Sequence, residues 1–350
     1  MMYEVTFSPM YAVLFSAYLN EISSTNIEKL TSDIALSDVN DSSIYASRVP
    51  QEDIERLIQR IYQVKGDLAF GLDIGAGMHP SDYGTVGYAL MNCSSLFQVF
   101  EFAAKYKNSI NKGFKIIFSK QGLFYHFRID SLVVSEWLKV VIELDFSSAL
   151  HLSKFFVGSD SAKLVKPESI RFQHAAQGPL SKYEGLFACP VLFNQKYNEI
   201  IFSRQTFEIP IRSANPSLFK LMESKLTIGK KTAEQQLSLK QKIERFMFEH
   251  IQGIEGRVPE ISQAALEFNM SVSTVKKHLK DEKTHYTNIA DQVRHKLALN
   301  LLMDPRKSIL DISNDLGFSN ASTFNRAFKR WCGQSPTAYR KQNVATRNVV

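Results

Sequence analysis

The sequence predicts two domains of different class. An α+β N-terminal domain of mixed helices and antiparallel strands is followed by an all-α C-terminal domain with two helix-turn-helix motifs joined by a long helix. Three observations carry this expectation. The apolar period changes from helical to strand-like near Gly113 and is helical again throughout the last third. Ile261–Lys280 nearly repeats as Ile309–Lys329. The excess positive charge is confined to that same last third.

The elements follow in chain order. Pro9–Glu21 and Pro50–Gln63 are amphipathic at helical spacing, and Ser94-Ser95 stand where they can cap a helix through Leu96, Phe97, Phe100 and Phe102. That aromatic helix reads as core rather than as a cofactor box. Phe114–Phe118, the turn Lys120-Gln121-Gly122 and Leu123–Ile129 read as a hairpin. Ser169–Gln173, Val191–Phe193 and Glu199–Phe202 are further strand-like runs, the last entered through a turn at Asn194–Asn198. A helix at Pro216–Leu226 precedes the polar, basic stretch 227–232, where the interdomain linker is expected. From Ala233 the pattern is helical, broken at Gly253–Gly256, Asp304-Pro305 and Gly333–Pro336. The expected division is 1–226, linker 227–232, 233–343 and a flexible tail 344–350.

A chain of 350 residues suits two domains, and 44% hydrophobic with 22% charged residues is the balance of a folded soluble protein. Its longest apolar runs, such as Trp137–Leu144, are far too short to cross a bilayer. Met-Met-Tyr-Glu-Val at the start lacks the basic and apolar regions of an export signal, so a cytoplasmic, nucleoid-associated protein is expected. Cys93, Cys189 and Cys332 are too scattered for a disulfide framework or a zinc site, and no metal or cofactor is expected. Residues 230–341 hold 19 Lys/Arg against 12 Asp/Glu, whereas 1–229 hold 22 against 23. One domain is thus built to face a polyanion. Charge alone would equally suit RNA or an anionic lipid surface.

The repeat decides between these. Each copy has a short amphipathic helix, a turn residue tolerant of positive φ (Asn269, Gly317), an apolar residue (Met270, Phe318) and a Ser able to cap the next helix (Ser271, Ser319). Val275 with Leu279, and Phe324 with Phe328, would bury one face of each second helix. Ser273, Lys276 and Lys277 are left outward on one, and Ser322, Asn325 and Arg326 on the other, where they could reach base edges. A single copy could be two helices that merely pack together. Two copies on the helical run Tyr286–Met303 make two reading heads at a fixed separation, roughly one turn of DNA.

At this point the residues resemble a known family. Pro259–Tyr339 resembles the DNA-binding domain of AraC/XylS-type bacterial regulators, most fully in Ile309–Ser319, Phe324–Trp331 and Gly333–Arg340. The resemblance places Ser273, Lys276, Lys277, Ser322, Asn325 and Arg326 at base-facing positions. Asn269 departs from the glycine frequent in such turns. Lys230, Lys231, Arg257, Lys280, Lys283, Lys307, Lys329 and Arg330 are the candidates for phosphate contacts. Gly71–Leu90 and Tyr183–Asn194 resemble the arabinose-binding-type N-terminal domain of a subset of these regulators. The resemblance implies an effector-sensing and dimerisation domain, a small-molecule effector, double-stranded promoter or operator DNA and RNA polymerase as partners, a homodimer as a candidate state, and activation more readily than repression.

The effector site is harder to read. Phe124, His126 and Arg128 share one face of their strand, and Lys115 alternates in the same way. Either that face receives a ligand carboxylate or it is the wet side of the sheet. His174 reads as a structural histidine. No nucleophile elbow, phosphate-cradling loop or His-Glu-x-x-His helix is present, so an enzyme is not expected. A purely architectural DNA-binding protein would not need some 220 near-neutral residues ahead of its basic part, unless they served only for dimerisation.

Overall fold

The computed structural model describes residues 6–23, 49–110, 113–131, 135–252, 257–302 and 307–345. The expected loops at Gly253–Gly256 and Asp304-Pro305, and most of the expected tail, lie outside these. The chain divides into two units between Ala233 and Glu234.

The N-terminal unit runs β1 (Thr6–Phe7), α1 (Pro9–Ile22), β2 (Val49–Pro50), α2 (Gln51–Lys65), α3 (Phe70–Gly77), α4 (Thr85–Met91), α5 (Leu96–Ile110), β3 (Phe114–Gln121), β4 (Phe124–Ser131), α6 (Lys139–Val157), β5 (Ser169–Arg171), α7 (Leu180–Phe187), β6 (Val191–Leu192), β7 (Asn198–Ser203), α8 (Arg204–Phe207) and α9 (Pro216–Gln236). Ser8 caps α1 by accepting the Met10 amide, with Pro9 at the first helical position. Ser95 likewise accepts the Gln98 amide at the start of α5. The expected hairpin forms as β3–β4, pairing Phe118 with Phe127 and Ile116 with Ile129. The sheet order is β3-β4-β7-β5-β6. Its pairs are antiparallel except β5–β6, which is parallel and bridged by α7. Residues 227–232, where a linker was expected, are helical and continue α9 up to the division between the units.

One face of the sheet is the core. Phe127 and Phe202 meet Phe100 of α5 at ring separations of 5.1 and 5.3 Å, and Phe172 meets Phe146 of α6 at 5.4 Å. Helix α6 is the element the sequence does not announce. From Val140 to Ser148 it is buried on every side, and its buried residues include Glu143, Asp145, Ser147, Ser148 and Ser153 as well as Val140, Leu144, Phe146 and Leu150. A helix with no wet face shows no 3.6-residue alternation, so in sequence it is only an apolar run interrupted by acids.

The glycines of Gly71-Leu-Asp-Ile-Gly75 make room for α6. A Cβ on Gly71 would lie 2.3 Å from the Val140 carbonyl oxygen, and one on Gly75 2.4 Å from that of Leu144. The Ser147 hydroxyl donates across the same contact to the Leu72 carbonyl, at 2.7 Å. Gly75→Ala should therefore destabilise the N-terminal unit by about 1–3 kcal/mol, the usual penalty of overpacking, as read by the shift in denaturant midpoint. An unchanged midpoint would mean that the two helices do not approach so closely.

The buried acid Glu143 accepts the Tyr183 hydroxyl at 2.6 Å, and its carboxyl lies 3.9 Å from Nε2 of His174. The His174 Nδ1 is 2.8 Å from the Ala175 carbonyl oxygen, so its proton sits on Nδ1 and Nε2 faces Glu143 as an acceptor. Burial pushes the Glu143 carboxyl up to about 8, against the lowering effect of Tyr183, and pushes the His174 imidazole down to about 4. In the folded chain the pair therefore holds one proton, on Glu143, between about pH 4 and pH 8. The unfolded chain also holds one, on His174, up to its ordinary value near 6.5, and none above it. Stability from this pair falls as pH rises from about 6.5 to 8, by at most about 1.4 kcal/mol per pH unit. Glu143→Gln, which keeps the shape and an acceptor for Tyr183, should flatten that decline in melting temperature against pH. An equal decline in the variant would exclude Glu143 as its origin.

Candidate functional site

The C-terminal unit contains α10 (Leu239–Gln252), α11 (Ile261–Glu267), α12 (Val272–Asp281), α13 (Tyr286–Leu302), α14 (Ile309–Asp315), α15 (Ala321–Cys332) and α16 (Pro336–Ala345). Helix pairs α11–α12 and α14–α15 are the two hairpins. Their turns close alike. Asn269 (φ 53°) and Gly317 (φ 70°) take the left-handed conformation, and the amides of Met270 and Phe318 donate back to Ala265 and Ser313 at 2.8 and 3.0 Å. Asn stands at the first turn because, after glycine, it tolerates positive φ best.

The caps differ from the expected pair. Ser271 caps α12, accepting the Thr274 amide at 3.1 Å. In the second hairpin the cap is Asn320 rather than Ser319, with Oδ1 accepting the Thr323 amide at 2.8 Å. The extra residue of the second copy thus enters before the cap. Ser271 corresponds to Asn320 at the same spacing that relates Thr274 to Thr323. The signal was present in that spacing, because a cap belongs to the helix it starts.

One strut carries both hairpins. Helix α13 has 17 residues, about 25 Å at 1.5 Å per residue, and buries Ile289, Val293, Leu297 and Leu302. Its first residue, Tyr286, donates to the Pro259 carbonyl at 2.8 Å and so holds the approach to α11. Arg294 donates to the Leu316 carbonyl at the end of α14 and lies over the Phe318 ring. Arg340 of α16 donates to the Leu302 carbonyl at 2.9 Å, closing the C-terminal end of the strut. Glu282, just past α12, accepts the amides of Leu239 and Lys240 and caps α10.

The second helix of each hairpin buries one side and presents the other. Val275 and Leu279 of α12, and Phe324, Ala327 and Phe328 of α15, are buried. Ser273, Lys276 and Lys277, and equally Ser322, Asn325 and Arg326, are exposed. The two trios occupy the same positions after their caps. The Ser273 hydroxyl is held 2.8 Å from that of Ser271. Among the phosphate candidates Arg257, Lys280, Lys283 and Lys329 are exposed. Lys307 and Arg330 pair with Asp315 and Asp291 of their own unit. The side chains of Lys230 and Lys231 lie outside the described residues.

In the N-terminal unit Lys115, His126 and Arg128 do share a sheet face, the one opposite the core. His126 Nδ1 lies 3.0 Å from Glu199, which also accepts Arg171 at 2.9 Å. Arg128 donates to Asp130 at 2.7 Å and covers the Tyr197 ring, while Lys115 is exposed. A ligand carboxylate on this face would have to displace Glu199 and Asp130. Sequence reasoning passed over a second polar group on the core side: Lys107 and Asp145, both buried, with Tyr11 and Tyr83.

Paired hairpins on one strut, each with an exposed polar and cationic second helix, define a DNA-binding transcription regulator. The family described as the arabinose-binding domain of AraC transcription regulators, N-terminal, matches residues 33–211, and a helix-turn-helix domain family matches 264–342. The chain belongs to the AraC family of transcription regulators, and it is a regulator rather than an enzyme. It is similar to the ornithine utilization regulator of Pseudomonas aeruginosa, 24% identical over 83% of each chain. It is also similar to the HTH-type transcriptional regulator VqsM of the same organism, 29% identical over 77% of this chain and 83% of that protein. The transcriptional activator CfaD of Escherichia coli is 38% identical over 21% of this chain and 27% of its own. No helix among the described residues is long and apolar enough to cross a membrane.

Asn320→Ala should cost about 1 kcal/mol and fray the start of α15, whereas Ser319→Ala should change stability by no more than a few tenths. Chemical denaturation of the two variants reads this directly. The reverse order would return the cap to Ser319.

Proposed function

We propose that this regulator reads an asymmetric DNA site with two recognition helices in successive major grooves of one DNA face, and that it activates transcription under control of a small molecule bound in its N-terminal domain. The observation that carries this reading is the equivalence of two exposed trios, on α12 and α15, whose hairpins share the helix α13. Ser273, Lys276 and Lys277 would face bases in one groove, and Ser322, Asn325 and Arg326 in the next. Arg257, Lys280, Lys283 and Lys329, with Lys230, Lys231, Lys307 and Arg330, would face phosphates and supply affinity without sequence preference. On this reading 1–226 sense the effector and support a homodimer, 233–343 bind DNA, and RNA polymerase is contacted from the bound complex in the cytoplasm. The effector acts by having different affinities for two arrangements of the protein.

Selection of bound sequences from a random DNA pool, with the full chain at physiological salt, tests the core of this. A motif of two blocks about one helical turn apart is expected. Recovery of no motif, with binding that vanishes as salt rises, would leave only a basic surface. With the selected site in hand, Arg326→Ala should relax discrimination at one base pair by about 1–3 kcal/mol. Lys280→Ala should weaken all DNA alike and lower the salt slope by about one. If both variants lost specific and non-specific binding in the same proportion, the division of roles would be wrong.

A further inference from the structure

On the core side of the sheet, α4, α5, α6 and β4 line a small, partly open cavity of about 50 Å³. Most of its wall is apolar, with Val86, Leu90, Val99, Phe100, Leu152 and Phe156 among the residues that line it. One wall is different. Lys107 of α5 reaches Asp145 of α6 at 2.5 Å, with side chains 9% and 0% exposed. The Tyr11 hydroxyl lies 3.0 and 2.9 Å from the two Asp145 oxygens, and Lys107 Nζ stands 5.5 Å from the centre of the Tyr83 ring. Tyr83 and Ser148 share a hydrogen bond at 3.2 Å beside them. Burial works to lower the Lys107 pKa, but Asp145 and then the two tyrosines outweigh it and hold it above its ordinary value, so the group stays charged.

We infer that this cavity is the effector site, and that its ligand is a compact molecule of no net charge, apolar in body, carrying one carbonyl or hydroxyl oxygen directed at Lys107. The inference rests on the reading of the N-terminal domain as a sensor and names its ligand class. Stability does not explain the polar wall, because a buried ion pair is worth no more than well-packed apolar residues of its size. Polar groups converging on one end of an apolar hollow are what a small-molecule site requires. The charge balance sets the ligand. Lys107 and Asp145 cancel, so an added carboxylate or ammonium would bring an uncompensated charge into the interior. An ammonium has three N–H donors, and Asp145 takes one. With the hydroxyls of Tyr83 and Ser148 the wall can serve one acceptor oxygen without displacing Asp145. The hollow holds only a few water-sized groups, so a ligand of ordinary size must widen it on entering.

Calorimetric titration of the full chain with 2-pentanone, p-cresol and hexanoate tests this, together with two variants. Ala103→Val fills the cavity from α5 and leaves the polar wall. Lys107→Met with Asp145→Leu removes both charges at once and so strands neither. The ketone or the phenol should bind, and each variant should weaken that binding about tenfold or more, the effect of one charge-assisted hydrogen bond or a blocked volume. Hexanoate binding as tightly as the neutral probes would overturn the ligand class. Neutral probes that bind both variants undiminished, or that do not bind at all, would overturn the site. DNA selection with the same unliganded variants reports separately on the regulator reading, which a failed titration leaves intact.

Discussion

Helix α6 runs through the N-terminal unit with no side of its residues 140–148 open to water, and the elements packed on it are shaped by that burial. On one side it admits only glycine, at Gly71 and Gly75, because the α3 backbone lies against its carbonyls. Toward the sheet it presents Phe146 to Phe172 and Phe127. Its acids cannot be hydrated, so each is met by a dedicated partner: Lys107 and Tyr11 for Asp145, Tyr183 for Glu143. The two acids are solved differently. Asp145 is paired directly with an ammonium, while Glu143, in contact with a hydroxyl and facing a neutral imidazole, keeps its proton. A single helix thus carries both answers to the cost of burying a carboxyl.

The C-terminal unit solves a different problem. Its hairpins are too short to bury a core alone, since α11 and α14 have seven residues each. They gain rigidity from α13, whose arginine and tyrosine reach carbonyls at the ends of both hairpins. Rigidity of that kind separates support from presentation: the residues that hold the second helix of each hairpin are apolar and inward, while the exposed polar and cationic ones are outward. The two sets share a helix without sharing a side.

What the sequence disclosed follows the same line. The hairpins were legible because amphipathic helices and tight turns leave local signals, and the duplication gave each signal a second witness. The β3–β4 hairpin was legible for the same reason, with alternation on both sides of Gly122. Helix α6 was not, because complete burial erases periodicity. Alternation could say that His126 and Arg128 share a face, yet not which face the helices cover; Phe100 and Phe146 settle that by packing on the other. The cluster of Lys107, Asp145, Tyr11 and Tyr83 was out of reach altogether, since Tyr11 and Asp145 are 134 positions apart and nothing in either neighbourhood points to the other.

Helix α5 ties the cavity to the rest of its unit. It lends Val99, Phe100, Ala103 and Lys107 to the cavity. On another side its Phe102 packs on Phe219 at 5.2 Å and its Lys105 pairs with Glu223 at 3.2 Å, both residues of α9. Helix α9 in turn continues through the division between the units as unbroken helix. A ligand in this cavity can shift the N-terminal unit only to the extent that it binds a widened cavity more tightly than the closed one. A cavity too small at rest meets that condition, whereas a site with equal affinity for its ligand in both arrangements would bind without changing anything.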